Sequence, residues 1–142
     1  MITISISYSG ELRCEATHTP SNTTLSTDAP VDNNGKGETF SPTDLVASAL
    51  GNCMATIMGI VAERKGISLD GLTMSVDKYM SEDLPRRISK LPVTINMPMA
   101  SDDKNKDLMI NAALTCPVHQ SLHESIEVPI TWNWIDNTES QL

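Results

Sequence analysis

The feature that most constrains this chain is a long uncharged segment, residues 45–62, that directly follows a strong helix start. Ser41, Pro42 and Asp44 provide an N-cap hydroxyl, a proline in the first turn and an acid at the third helical position. Gly66 follows a charged last turn and is a typical helix stop. The sequence therefore predicts one helix between these signals. Because it is apolar on all sides, we expect it to be the long buried centre of the fold.

A membrane span is the alternative interpretation of this helix, since roughly 18 apolar residues are long enough to cross a bilayer. Polar Ser48, Asn52 and Thr56 lie along its middle, where such groups are unfavourable in lipid. The sequence contains no second hydrophobic span of this kind. We therefore expect no membrane partner.

Charge and cysteine content exclude other classes. Ten Lys and Arg against eighteen Asp and Glu give a net charge of −8, which argues against nucleic acid as a partner. Cys14, Cys53 and Cys116 are too few for the disulfide framework of a secreted protein. The first residues alternate in polarity and do not form a signal peptide. The predicted location is cytoplasmic.

Short strands are predicted on both sides of the long helix, because apolar and polar residues alternate there. A Ser9-Gly10 turn signal joins the first two strands into a hairpin. A second helix is predicted over residues 102–114. The predicted strands are residues 2–8, 12–17, 23–27, 72–76, 91–97 and 126–134. This order indicates an α+β fold with antiparallel sheets, in a single domain over residues 1–142.

Two of the cysteines are candidates for chemistry, for different reasons. Cys53 lies inside the long helix among apolar neighbours, where a free cysteine is often only a small core residue and burial raises the pKa of its thiol. Cys116 precedes Pro117, so its thiol lies at a helix N-terminus that favours the thiolate. From the residues alone, Cys116 is expected to be the more acidic thiol, and packing remains the alternative for both.

A metal site is a weaker alternative near the second of these cysteines. Cys116, His119 and His123 would share one face of a helix and could approach one metal ion. No fourth ligand is visible, and paired histidines on a half-exposed helix are usually surface residues. The sequence therefore predicts no metal.

Arg13 and Asp44 are candidates for supporting roles. Arg13 lies on the polar face of the second predicted strand, as an anion or peroxide contact or as a solvated residue; the adjacent Cys14 is expected in the core. Asp44 is expected to cap the helix. It lies nine residues from Cys53, about half a turn around the helix and about 13–14 Å along it. Asp44 could therefore assist that sulfur only from a second subunit.

The motifs resemble those of the OsmC/Ohr superfamily. The resemblance covers nearly the whole chain, because the predicted element order also agrees. It lies in Gly35-Lys36-Gly37, in the segment from Phe40 through Pro42 and Asp44 to Gly51-Asn52-Cys53, and in Thr115-Cys116-Pro117-Val118-His119. It implies an OsmC-like fold, an intertwined homodimer and a thiol peroxidase cycle without a bound cofactor.

By the same resemblance, Cys53 is the peroxidatic cysteine and Cys116 the resolving cysteine, with a dithiol or protein-bound lipoyl group as the reductant. This assignment reverses the acidity expected from the helix N-terminus, and an arginine such as Arg13 would compensate. Well-characterised hydroperoxide reductases of this superfamily carry Glu directly after the helix-start proline, as part of an Arg–Glu pair. Here Thr43 occupies that position and the acid is Asp44, as in other members with a Pro-x-acid motif.

The leading hypothesis is therefore a cytoplasmic, homodimeric peroxidase that reduces organic hydroperoxides in oxidative stress defence. Its chemistry would be carried by Cys53 and Cys116, with Arg13 and Asp44 in support. The alternative is a non-enzymatic OsmC-like protein that binds a small molecule or a metal.

Overall fold

The structure is a computed structural model and describes residues 1–135. The elements of this part follow the predicted order, with two further short strands. They are β1 (Ile4–Gly10), β2 (Arg13–His18), β3 (Thr23–Asp28), α1 (Pro42–Lys65), β4 (Thr73–Val76), β5 (Tyr79–Met80), β6 (Ile88–Lys90), β7 (Val93–Ala100), α2 (Lys106–Leu114), α3 (Pro117–Ser121) and β8 (Ile130–Ile135). The predicted α+β class is confirmed.

The chain divides into two compact units, Met1–Val46 and the part from Ala47 onward. The prediction of one domain over residues 1–142 stays a prediction, because its last seven residues, 136–142, lie outside the described part. The first unit contains the antiparallel sheet β1-β2-β3. The second contains the sheet β4-β7-β8 and the short pair β5-β6.

The first hairpin turns later than Ser9-Gly10 predicts. Strand β1 continues to Gly10, and the turn is made by Glu11 and Leu12, both at positive φ (55° and 64°). Leu12 is therefore in the turn and not in β2, and Cys14 of β2 is half-buried. The pairing register places Arg13, the first residue of β2, opposite Asp28, the last residue of β3.

The apolar side chains of β1 are exposed in the single chain, although their alternation predicts a buried face. Ile4, Ile6 and Tyr8 are 49%, 70% and 66% exposed. The alternation itself is consistent with a strand, which the structure confirms. Within one chain the expected burial of this face is wrong.

The second unit has a mixed sheet, which corrects the prediction of antiparallel sheets. Strands β4 and β7 are antiparallel, but β7 and β8 are parallel. Parallel neighbours need a long crossover, and α2 and α3 lie in the connection between these two strands. The inward side chains of β7 form the centre of the core with residues of α1 and α2. These core residues are Leu50, Met54, Met58, Val93, Ile95, Met97, Met109 and Ala113.

Both ends of α1 form as predicted. The Oγ atom of Ser41 accepts a hydrogen bond from the N–H of Asp44 at 3.1 Å, and Oδ2 of Asp44 accepts one from the N–H of Ser41 at 2.9 Å. This reciprocal pair is the expected capping box. At the other end Gly66 adopts φ +67°, and the next residue, Ile67, donates its N–H to the carbonyl of Ala62 at 2.9 Å. A left-handed glycine of this kind closes a helix.

Helix α1 is buried along one stripe only, which corrects the expectation of a helix buried on all sides. The buried residues recur every three or four positions; they are Ala47, Leu50, Met54, Met58 and Ala62. The opposite side includes exposed Asn52, Thr56 and Ile60. Of the described helices, α1 is the one that is long and apolar enough to cross a membrane by length and composition, a test that core helices also pass.

Candidate functional site

Cys53 lies on the flank of α1, beside its buried stripe. The preceding Leu50 and the following Met54 are fully buried, whereas Asn52 is exposed. The thiol of Cys53 is therefore half-buried rather than sealed in the core. Gly51 allows a close approach on the same stretch of helix, because a Cβ there would lie 3.1 Å from Cγ2 of Val76 in β4. Cys53 is thus only partly covered, beside a close approach of α1 to β4.

Cys116 lies where α2 ends and α3 begins, and its side chain is fully buried. It is the N-cap of α3, with φ −62° and ψ 140°, and Pro117 occupies the first turn. Its Sγ atom accepts a hydrogen bond from the N–H of His119 at 3.3 Å. The extended backbone and the cap fix the direction of the thiol.

Cys53 and Cys116 both lie in the second unit, and the Cys53 thiol affects the pKa of the Cys116 thiol. Burial raises the pKa of the Cys116 thiol above the ordinary value of a cysteine. A hydrogen bond with the Cys53 thiol and the charge of that sulfur raise the pKa further, whereas the N–H groups of His119 and Val118 act in the opposite direction. The expectation of an acidic Cys116 is therefore wrong, because burial outweighs the N-terminus of a five-residue helix.

This arrangement gives the two sulfurs different chemical properties. Cys116 is buried, and its raised pKa favours the protonated thiol. Cys53 is the more accessible sulfur.

Arg13 is paired with two acids in the first unit. Its Nη2 atom donates to Oε2 of Glu38 at 2.8 Å and to Oδ2 of Asp28 at 3.5 Å. The side chain of Asp28 is fully buried, and that of Arg13 is about one-third exposed. The side chain of Arg13 is thus fixed by two ion pairs and is not freely solvated.

A family model described as OsmC-like protein matches residues 35–131, and so includes both Cys53 and Cys116. The chain belongs to the OsmC-like protein family. A solved structure of a candidate osmotic stress induced and detoxification response protein from Psychrobacter arcticus 273-4 is 46% identical, with a TM-score of 0.87. The match covers 94% of this chain and 96% of that protein.

Two more distant structures share the fold. The organic hydroperoxide resistance protein OsmC from Legionella pneumophila is 19% identical, with a TM-score of 0.69 over 92% of this chain and 96% of that one. An organic hydroperoxide resistance protein from Elizabethkingia anophelis is 17% identical, with a TM-score of 0.75 over 95% and 98%. No functionally curated protein matches the chain. The predicted OsmC-like fold is confirmed.

In this OsmC-like protein, Asp44 caps α1 as predicted, through its hydrogen bond with the N–H of Ser41. Asp44 and Arg13 belong to the first unit, whereas Cys53 and Cys116 belong to the second. Thr43 occupies the position where the resemblance implies Glu. Its Oγ1 atom lies 3.1 Å from Oγ of Ser41.

The geometry does not fit the three-ligand metal site. Helix α3 ends at Ser121 and the backbone at Leu122 is extended, so His123 does not continue the helical face of Cys116. The Nδ1 atom of His123 instead lies 2.8 Å from Oγ of Ser125. Within residues 1–135, no three His, Cys, Asp or Glu side chains are grouped closely enough to hold a metal ion.

Asp28 and Glu38, the two acids that pair with Arg13, are not predicted from the sequence. Asp28 lies directly opposite Arg13 in the β2–β3 register, so extending the predicted third strand by one residue, with its pairing to the second, would have found it. Glu38 lies in the loop before α1, and no periodic pattern places a loop residue beside a strand.

Proposed function

We propose that this OsmC-like protein is a thiol-dependent peroxidase that reduces organic hydroperoxides in oxidative stress defence. The observation that carries the proposal is that the half-buried Cys53 thiol interacts with the fully buried Cys116 thiol and raises its pKa. Membership of the OsmC-like family supports it, as do fold relatives named for organic hydroperoxide resistance.

Cys53 is the proposed peroxidatic residue. Its thiolate attacks the terminal oxygen of R–O–O–H, so that an S–O bond forms and the O–O bond breaks. The sulfur becomes a sulfenic acid, S–O–H, and the alkoxide R–O⁻ takes up a proton and leaves as the alcohol. The accessible flank of α1 is suited to this step, because the substrate must reach the sulfur along the peroxide axis.

Cys116 is the proposed resolving residue. Its sulfur attacks the sulfenic sulfur of Cys53, an S–S bond forms, and hydroxide leaves with the Cys116 proton as water. The raised pKa of Cys116 keeps this thiol protonated until the sulfenic acid forms, which preserves the order of the two steps. A dithiol, such as a protein-bound lipoyl group, then reduces the disulfide by exchange and becomes a disulfide itself.

Arg13 and Asp44 are the proposed supporting residues. A guanidinium is permanently charged and stabilises a thiolate or a developing alkoxide, and we assign that role to Arg13. Asp44 acts through the helix, because its cap fixes the start of α1, which carries Cys53 further along.

A homodimer completes the proposal, since a second copy would cover apolar surface that one chain leaves exposed. Ile6 and Tyr8 of β1 and Ile60 of α1 are the largest examples on these two elements. Exposed apolar patches of this kind mark interaction surfaces. A cytoplasmic location suits free thiols that require a reductant.

Substrate preference follows from the surroundings of Cys53. The helical neighbours Ala49, Leu50 and Ile57 are apolar, and such walls favour the organic group of a hydroperoxide over hydrogen peroxide. Equal second-order rates for cumene hydroperoxide and hydrogen peroxide would contradict this preference.

To test this proposal, separate samples of the reduced protein are treated with one equivalent of cumene hydroperoxide or of hydrogen peroxide. The free thiols are then counted, and a non-reducing peptide map identifies the disulfide. We expect two thiols per chain to be lost into one Cys53–Cys116 bridge, faster with cumene hydroperoxide. Cys14→Ser is the matched control, since it removes the third cysteine and leaves the pair intact. Slow, scattered oxidation without this bridge would overturn the peroxidase proposal and favour a binding role.

A further inference from the structure

Residues 78–90, which contain strands β5 and β6 and the loop between them, differ in charge from the rest of the chain. Four of the ten Lys and Arg residues lie in this segment, but only two of the eighteen Asp and Glu residues do. The segment is therefore net positive, whereas the remainder of the chain is strongly negative. Opposite charges on two parts of one protein orient a charged molecule that approaches it, because one part attracts the molecule and the other repels it.

The loop of the β5–β6 hairpin, residues 81–87, is held by its own hydrogen bonds. The N–H of Ser81 donates to the carbonyl of Arg87 at 2.7 Å, and Oγ of Ser81 accepts from the N–H of Arg87 at 3.0 Å. The guanidinium of Arg87 donates to Oδ2 of Asp83 at 3.1 Å and to the carbonyl of Pro85 at 3.0 Å. A loop with a fixed conformation loses little conformational entropy when it binds a partner.

This loop and the base of the hairpin are exposed. All of residues 82–87 are exposed, and Leu84 is 88% exposed. At the base, Tyr79 is 52% exposed, and Nζ of Lys90 lies 4.9 Å from the centre of the Tyr79 ring. Arginine and tyrosine are enriched at protein interfaces and among the residues that contribute most to binding. We define the hairpin surface as Tyr79, Leu84, Arg86, Arg87 and Lys90.

The hairpin begins close to the part of α1 that carries Cys53. Val76, the last residue of β4, packs against α1, since a Cβ at Gly51 would lie 3.1 Å from its Cγ2 atom. Gly51 precedes Cys53 by two residues. Tyr79 follows Val76 by three residues, a length of chain that spans at most about 11 Å. A partner on the hairpin surface is therefore held near Cys53, within the same unit.

We propose that the hairpin surface docks the protein that carries the dithiol reductant, through an acidic patch on that protein. This role rests on the proposed function, in which the dithiol exchanges with the Cys53–Cys116 disulfide. In that exchange the two thiols of the carrier become a disulfide, and Cys53 and Cys116 regain their protons. The basic residues attract the acidic carrier, and Tyr79 and Leu84 provide apolar contact area.

Lipid and nucleic acid fit the hairpin surface less well than an acidic protein. Glu82 and Asp83 directly precede Leu84 in the loop, and acids oppose the phosphate groups of both ligands. One exposed leucine also buries too little apolar area to hold a protein on a bilayer. A protein patch can instead place its own charges between the acids and the arginines of the loop.

The experiment measures how fast dithiols reduce the Cys53–Cys116 disulfide of the full chain, formed beforehand with diamide. Three reductants are compared: free dihydrolipoamide, a Glu-rich peptide that carries dihydrolipoyl-lysine, and the same peptide with Gln at each Glu position. We expect the Glu-rich peptide to react about 10-fold faster than the Gln peptide at low ionic strength, because charge attraction raises association rates. This advantage should fall as added salt screens the charges.

The decisive variant combines Arg86→Gln with Arg87→Gln, which removes two charges of the hairpin surface. Its reduction by the Glu-rich peptide should slow by about 3- to 10-fold, whereas free dihydrolipoamide should react as with the wild type. Arg64→Gln with Lys65→Gln is the matched control, because it removes two exposed cations of the same unit, at the end of α1, and should keep the advantage. Leu84→Ser should slow both peptides and leave free dihydrolipoamide unaffected.

Several outcomes would overturn the docking proposal. A wild type that reacts equally fast with both peptides would do so, as would a variant without Arg86 and Arg87 that keeps the full advantage. Because Arg87 also holds the loop, Arg86→Gln is measured alone, and it should lose part of the advantage. An Arg86→Gln variant that loses none contradicts a direct role of the charge.

Two other occupants of the hairpin surface are tested with the same double variant. If sedimentation shows that the wild type self-associates and the variant does not, the surface contacts a second copy of the chain. If vesicles of phosphatidylcholine and phosphatidylserine bind the wild type and not the variant, the surface contacts lipid. Either result overturns the docking of a dithiol carrier.

Failure of the proposed function gives a different result. Wild-type thiols that do not form the disulfide with cumene hydroperoxide would overturn the peroxidase role. Docking is then measured by the fluorescence anisotropy of a labelled Glu-rich peptide bound to the reduced protein. We expect the loss of Arg86 and Arg87 to weaken this binding by about 3- to 10-fold, and the loss of Arg64 and Lys65 to leave it unchanged. Equal binding by both variants excludes the docking surface.

Discussion

The capping box at the start of α1 yields a stability prediction whose size follows from its two hydrogen bonds. Ser41→Ala removes the Oγ atom that accepts the Asp44 N–H at 3.1 Å. Ser41 is 1% exposed, so solvent is a poor substitute for the lost acceptor. Loss of a serine N-cap destabilises proteins by about 0.5–2 kcal/mol, and the burial of Ser41 places the expected loss near the upper half of that range, about 1–2 kcal/mol.

Two substitutions of Asp44 separate its hydrogen bond from its charge. Asp44→Asn keeps a side-chain oxygen for the Ser41 N–H and loses the charge at the helix N-terminus, a change of about 0.3–1 kcal/mol. Asp44→Ala loses both, so we expect about 1–2 kcal/mol. The Ser41→Ala, Asp44→Ala double variant should lose less than the sum, because the two side chains form one reciprocal unit.

The assay is urea unfolding followed by circular dichroism at one fixed protein concentration, since association would shift apparent stability. Ser26→Ala is the matched control, because Ser26 is an exposed serine of β3 outside the cap and should change stability by less than about 0.5 kcal/mol. Equal stabilities for Asp44→Asn and Asp44→Ala, or a Ser41→Ala variant as stable as Ser26→Ala, would refute the capping argument.

Two further predictions concern the second unit. Met54→Ala should destabilise the protein by about 2–5 kcal/mol, because Met54 is fully buried. Asn52→Ala, on the exposed side of α1, should change the stability by less than about 0.5 kcal/mol. Urea unfolding compares the two variants, and equal losses of stability would refute the assigned orientation of the helix. The raised pKa of Cys116 means that the folded state holds its thiol proton more tightly than the unfolded chain, so stability should fall as the pH rises above about 8.5. Unfolding of the reduced protein from pH 7 to 10 tests this, and Cys116→Ala should show a smaller decrease.

The sequence predicts the ends of α1 well because the signals there are local. A cap such as Ser41 and a left-handed glycine such as Gly66 act within one turn of the residues that they terminate. The first hairpin turn is less predictable, because Glu11 and Leu12 have no compositional preference for positive φ. Their conformation is set by the pairing of β1 with β2, which continues through Gly10 with a register shift.

Strand direction is a second property that alternation does not reveal. The residues of β8 alternate in the same way whether the strand pairs parallel or antiparallel with β7. The information lies in the connection, since a strand, helix, strand order allows a parallel crossover and a short turn does not. The helical spacing of α2 between β7 and β8 therefore indicates that a parallel pairing is possible, which the polarity pattern of the strands does not.

The relation between the two cysteines depends on tertiary structure. Spacing alone cannot bring Cys53 of α1 beside Cys116 of α3, and the pairing was predicted only from the resemblance. The sequence predicts the wrong acidity for Cys116 for the same reason. Its position at a helix N-terminus is visible in the sequence, but its complete burial depends on tertiary packing, and burial is the larger effect on its pKa.

The sequence predicts more burial of α1 and β1 than one chain provides. An apolar pattern records every surface that the working protein removes from water, whether one chain or several cover it. Helix α1 carries no charge over residues 45–62, yet one chain buries a single stripe of it, and the alternating face of β1 leaves Ile6 70% exposed. Two elements in different parts of the sequence thus carry more apolar surface than one chain buries. A second copy of the chain would account for both, and the two failed burial predictions are therefore an argument for the proposed homodimer.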